Sequence, residues 1–246
     1  MEEGKQAMSL VEPILAGHTD LVFEYIAQGH DVSAETGRQM LNACSYFGDV
    51  SAMKHLIAHG APLKESVDHG GLVNAAFHGH WRLCQFLIEN GWNVNGGTDS
   101  ETGETALHAA LTKPNRPKYD NVVRVLLANG ADPNARTKPG VATAGLVMDA
   151  RTQGETPLHR AAAFGTPVTV QLLLDAGAVV DAKDAHGNTP LGWASWHHRP
   201  TAILERLRYG SFGKGNPKPF RYETDHGSGW EQWEVGLWGD PHAVRT

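Results

Sequence analysis

The chain has 246 residues, enough for one large domain or two small ones with a real apolar core. Its 41% hydrophobic and 20% charged residues are those of an ordinary soluble globular protein, which excludes long disordered tracts and a coiled-coil rod. A formal charge of −6 leaves no overall positive field for a phosphate backbone, so nucleic acid is set aside as a partner.

The opening stretch, MEEGKQAMSLVEPILAGHTD, begins acidic and lacks the basic flank and unbroken apolar run of a signal peptide. No later run reaches bilayer-spanning length, so the expectation is a cytoplasmic protein with no membrane contact. Val11–Val32 then reads as half a repeat, a capping unit at the start of the chain. Glycines pair at a spacing of twelve: Gly17 with Gly29, Gly48 with Gly60, Gly79 with Gly91 and Gly165 with Gly177. The pairs recur every 31 residues at first and every 33 later, as from Gly154 to Gly187. A fixed period of this size is the signature of a repeat architecture.

Between paired glycines lie apolar residues at helical spacing: Leu21, Val22, Tyr25 and Ile26, then Met53, Leu56 and Ile57, then Leu83, Phe86 and Leu87, and later Val170, Leu172 and Leu173. These predict the second helices of helix pairs. Each glycine stands where a helix must stop, because glycine takes the left-handed cap conformation without steric cost. Cys44 and Cys84 fall inside such apolar segments and read as small buried hydrophobes.

First helices are announced by Thr105-Ala106-Leu107-His108-Ala109-Ala110, Thr156-Pro157-Leu158-His159-Arg160-Ala161-Ala162 and Thr189-Pro190-Leu191-Gly192-Trp193-Ala194. Threonine before a first-turn proline is a helix start, and the alanines permit close helix packing. With NGADPNAR at Asn129–Arg136 and AGAVVDAKDAHGNTPL at Ala176–Leu191, these segments resemble the ankyrin repeat over roughly residues 5 to 210. The earlier repeats keep the glycine ladder but carry Gln39-Met40-Leu41-Asn42 and Gly70-Gly71-Leu72-Val73 in place of the signature. The resemblance implies an all-α repeat solenoid of about six helix–loop–helix units, folding as a single elongated domain over residues 1–210. It also implies that His108 and His159 brace neighbouring repeats.

Two features interrupt the ladder. Gly103 to Gly154 is a step of 51, so 18 residues are inserted relative to a period of 33. About four fall in Thr112–Tyr119, and the rest form a long apolar finger, Thr137–Ala150, with Val141, Leu146, Val147 and Met148. An exposed apolar finger reads as a cover or a contact surface. The tail, Ser211–Thr246, holds Phe212, Phe220, Tyr222, Trp230, Trp233 and Trp238. A disordered tail would be poor in aromatics, so this one is expected to dock, chiefly by capping the last repeat.

Family geometry implies which side chains face the concave groove: Arg38, Tyr46, Phe47, His69, Phe77, His78, Glu104, Thr112, Lys113, Glu155, Phe164, Asn188, Trp196 and His197, with Gln153 and His186 at finger tips. Two functions fit this set. A partner protein or peptide gripped in the groove would use Tyr46, Phe77, Phe164 and Trp196 as anchors. Alternatively, groove, finger and tail enclose a small molecule, and Glu155 or Glu104 beside His78 or His197 performs cofactor-independent acid–base chemistry of an isomerase, lyase or hydrolase. No cofactor motif is present. No metal is expected either, since neither His78-x-His80 nor His197-His198 has the i, i+4 spacing that aligns two rings on a helix.

Overall fold

The computed structural model describes residues 10–63, 71–96, 102–112, 117–141 and 152–208. Most of the finger, the whole tail with His226, and the groove candidates His69 and Lys113 lie outside these residues. The chain divides into two compact units, Met1–Trp92 and Asn93–Thr246.

In the first unit a helical stretch over residues 10–15 precedes α1 (Leu21–Ala27), α2 (Glu35–Phe47), α3 (Val50–Ala58), α4 (Gly71–His78) and α5 (Trp81–Glu89). These make three helix pairs, joined inside by Val22, Met40, Leu41, Met53, Leu56, Leu72, Leu83 and Leu87, all buried. Cys44 and Cys84 are buried in the same core, and burial pushes both thiols up to about 12, as expected for inert hydrophobes.

Gly48 ends α2 with φ of 79° and donates its N–H to the Ser45 carbonyl. Any Cβ there would collide with the His80 ring, so close approach and backbone conformation both demand glycine. Asp49 then starts α3: one carboxylate oxygen accepts the Ala52 N–H at 3.0 Å, the other the Thr19 hydroxyl at 2.8 Å. A single side chain thereby caps its own helix and ties it to the turn before α1.

The second unit contains α6 (Ala106–Ala109), α7 (Lys118–Ala128), α8 (Pro157–Phe164), α9 (Pro167–Asp175), α10 (Pro190–Trp196) and α11 (Thr201–Arg208). The threonine starts work as the sequence requires. Thr105 and Thr156 donate their backbone N–H groups to Nδ1 of His108 and His159 at 3.3 and 3.1 Å. Nδ1 therefore carries the lone pair and Nε2 the proton. His108 donates that proton to the Glu155 carbonyl (3.3 Å), and His159 donates its own to the Asn188 carbonyl (3.1 Å), so each ring spans to the next repeat. In the last pair Gly192 stands at the histidine position. Trp193 packs edge-on to His159 instead and donates its indole N–H to Asp184 at 2.9 Å.

Between repeats, asparagines join successive turns. Asn95 donates to the Gly130 carbonyl and accepts from the Asp132 N–H; Asn134 repeats the pattern with Gly177 and Val179. The base of the finger insertion is zipped in the same way. Gly140 donates to the Thr152 carbonyl and Thr152 to the Val141 carbonyl, both at 2.8 Å, while Lys138 donates to the Thr102 carbonyl. The two ends of the insertion thus run side by side.

Candidate functional site

Two groupings gather the residues that the sequence singled out, and they differ in character. The first is a buried ion cluster. Arg160, on α8, is fully buried, and Glu104 and Glu155 beside it are nearly so. Arg160 gives its Nε and one Nη to Glu155 Oε1 at 2.9 and 2.7 Å. Its other Nη reaches Glu104 Oε1 at 2.5 Å and the His108 carbonyl at 3.2 Å. Glu155 Oε2 accepts the Thr137 hydroxyl at 2.6 Å and the Gln153 N–H at 2.7 Å. This one carboxylate therefore joins α8 to both ends of the finger insertion.

The electrostatics derive from that geometry. Burial alone would push the Glu155 carboxyl up, but Arg160, His108 and the hydrogen bonds outweigh it and hold the group at about 2. Burial, reinforced by the Arg160 charge, drives His108 down to about 3, and burial lowers His159 as well. Burial also opposes the Arg160 charge, yet Glu155 and Glu104 more than compensate and keep it protonated. The result is a fixed ionic knot with neutral imidazoles beside it.

Glu155 and Glu104, implied by the resemblance to face the groove and offered as general bases, lie in this buried cluster with Arg160. Both are withdrawn from solvent, and both Glu155 oxygens are committed to donors. Two carboxylates face one arginine where an imidazole was expected. Asn188 is likewise buried, with its amide turned to Asp184, and Thr112 is buried with its hydroxyl on the Ala109 carbonyl.

The second grouping is aromatic and forms at the C-terminal ends of the first helices. In the first unit Tyr46 and Phe47 close α2, and Phe77 and His78 close α4. The Tyr46 ring meets Phe47 edge-on at 5.1 Å and His78 at 4.9 Å, while Phe77 stands perpendicular to His78 at 5.2 Å. His80 stacks on His78 and donates Nε2–H to the Tyr46 carbonyl at 2.9 Å. Tyr46 is 60% exposed and Phe47 42%; Phe77 and His78 are half-buried. Arg38, two turns earlier on α2, is exposed and ion-paired with Glu35.

Equivalent positions meet in the second unit. Phe164, at the end of α8, touches the His197 ring at 5.0 Å, just beyond α10. Here the packing is closed: Phe164 is fully buried, and Trp196 and His197 are half-buried. His186 and Gln153, at neighbouring turns, hydrogen-bond to each other. The contacts therefore unite Tyr46, Phe47, Phe77 and His78 in one set, and Phe164 and His197 in another.

Sequence reasoning overlooked Arg160, Asp120 and Asp184. Asp120 accepts hydroxyl protons from Thr166 and Thr169, and Asp184 accepts the His186 and Asn188 N–H groups as well as the Trp193 indole. A signal for Arg160 existed. Charged residues at 104, 155 and 160 interrupt otherwise apolar or neutral motif segments, and a charge inside an apolar stripe needs a partner.

Helix pairs opened by a Thr-Leu-His box, closed by left-handed glycines and joined through imidazole-to-carbonyl bonds define a helical repeat protein. A sequence-family model of ankyrin repeats (3 copies) matches residues 41–137 and 142–211, and the chain belongs to the ankyrin repeat family. Rabankyrin-5 of Homo sapiens is 40% identical over 88 residues, 36% of this chain and 7% of that protein. The E3 ubiquitin-protein ligase KEG of Arabidopsis thaliana is 26% identical over 248 aligned positions, 82% of this chain and 14% of that protein. Ankyrin repeat and KH domain-containing protein mask-1 of Caenorhabditis elegans is 27% identical over 133 residues, 54% of this chain and 5% of that protein. The chain thus spans a seventh or less of the length of these relatives. Ankyrin repeats generally mediate protein–protein binding. Among the described residues no helix is long and apolar enough to cross a membrane.

Proposed function

We propose that this chain is a recognition module that holds a segment of a partner protein against the aromatic residues at the ends of its first helices. The observation that carries this reading is the state of Tyr46 and Phe47, two large rings braced against each other, with Tyr46 also set against His78, yet left open to solvent. Rings held in place bind with little loss of side-chain entropy, which is what interface anchors require. Phe77 and His78 extend this surface, and Arg38 supplies a polar contact at its margin. In the second unit the half-buried Trp196 and His197 serve the same role, with the buried Phe164 ring supporting His197 and with His186 nearby in sequence.

In this reading the tail, 211–246, caps the last repeat of a solenoid that runs over residues 1–210, and the finger, 137–150, borders the binding face. The partner is a protein or peptide in the cytoplasm; the net charge of −6 disfavours nucleic acid. Acid–base catalysis has no support from Glu104 or Glu155, each of which is buried with its Oε1 bonded to Arg160.

The test is affinity purification with the wild-type chain and the double variant Tyr46→Ala/Phe47→Ala, and then measurement of the captured partner's affinity. Hot-spot rings contribute about 2 kcal/mol each, so the double variant should weaken binding by a factor of several hundred or more. A partner held equally well by both chains refutes the reading.

A further inference from the structure

We propose that His55 and His59, on α3 and at its C-terminal cap, form a two-imidazole site for a divalent cation of the zinc class. Their spacing is the i, i+4 interval that sets two rings on one helix face, and the ring centroids lie 4.5 Å apart. His59 Nδ1 lies 2.9 Å from the His55 carbonyl. A carbonyl only accepts, so Nδ1 carries the proton, and the neutral ring presents its lone pair at Nε2. A backbone carbonyl that fixes the tautomer and orientation in this way is the usual support of a metal-binding histidine. Among the described residues neither ring nitrogen of His55 has a hydrogen bond, and the Phe23 ring packs against it with centroids 4.8 Å apart.

The absence of a metal was expected from histidine pairs that lack helical spacing. His55 and His59 have it. Among the described residues no third His, Cys, Asp or Glu joins them, so the protein supplies two ligands and water completes the shell. Such a site exchanges readily. Imidazole nitrogen favours Zn²⁺, Cu²⁺ or Ni²⁺ over Ca²⁺ and Mg²⁺, which take oxygen ligands. Protons compete for the same lone pairs, so affinity falls with acid.

The experiment is calorimetric titration of the full chain with Zn²⁺ alone, repeated on His55→Ala and His59→Ala, together with the imidazole ¹⁵N shifts of the two residues. His59 is exposed, so its replacement leaves the core intact. One zinc equivalent should bind, both Nε2 signals should move together, and either substitution should weaken that equivalent roughly tenfold or more. An equivalent that survives either substitution, or no zinc uptake by the full chain, overturns the proposal.

Discussion

The two units solve the same problem, joining one helix pair to the next, with different materials. In the first, Thr19 is the buried polar side chain among the described residues; the remainder of the core is apolar, and the repeats are linked by Thr19–Asp49 and by His80 to the Tyr46 carbonyl. In the second, buried polar groups run from Thr102 to Ser195 and include Glu104, Glu155 and Arg160. Apolar packing is tolerant of substitution, because no group in it requires a particular partner. A buried polar network is not, since each member left alone keeps its desolvation cost. This difference accounts for the degenerate signature of the early repeats and the sharp signature of the later ones.

Removing Arg160 should break the second unit more severely than any other single change. Arg160→Ala leaves two carboxylates buried without their cation, a loss of about 3–5 kcal/mol for one broken buried pair. Hydrogen exchange resolved by peptide measures each unit separately. Protection should collapse in α6, α8 and α10 while α2 to α5 keep theirs. Equal loss in both units, or loss in neither, would remove the contrast.

Acid should separate the units next. His108 is held far below its ordinary 6.5, and His159 is also lowered, so both are neutral when folded and gain protons more readily when unfolded. The unfolded state then binds more protons, and stability rises with pH. The contribution of the two imidazoles is complete above about pH 6.5 and drains away below it, by up to about 1.4 kcal/mol per pH unit for each group. Glu155, lowered from 4.5 to about 2, acts in the same direction between those values. Thermal melts from pH 7.5 to 4 should show the second unit losing stability first. A first unit that melts earlier in acid would contradict the assignment.

Much of the fold was legible because its determinants are local. A glycine forced into the left-handed region, a threonine at a helix start and a histidine three residues on each act within one turn of helix, so spacing alone reveals them. The bracing role of His108 and His159 was implied only by the resemblance to the ankyrin repeat, because each ring reaches a carbonyl of the next repeat. The fate of Glu104 and Glu155 was not: the Arg160 that claims them is 56 residues from the first, and no periodicity encodes that meeting. Tyr46 and Phe164 occupy similar positions at the ends of first helices, yet one is exposed and the other buried. Burial at these positions depends on what packs over the helix end, which the motif does not record.

The smallest expected effect concerns the polar brace of the first unit. Gly91 and Gly48 both adopt the left-handed conformation, with φ of 92° and 79°. A Cβ at Gly91 meets nothing within 4 Å, so Gly91→Ala should cost only the left-handed penalty, about 1 kcal/mol. A Cβ at Gly48 meets the His80 ring, and moving that ring breaks its bond to the Tyr46 carbonyl. Gly48→Ala should therefore cost about 1 kcal/mol more, the worth of one hydrogen bond. Gly48 and His80 are in contact, so substitutions at the two should not add. In a His80→Ala background the clash is gone, and Gly48→Ala should fall back to the Gly91→Ala cost in chemical denaturation. If it does not, the excess lies in the backbone turn itself, and the first unit depends on the geometry of its glycines rather than on the one imidazole that joins α2 to the turn after α4.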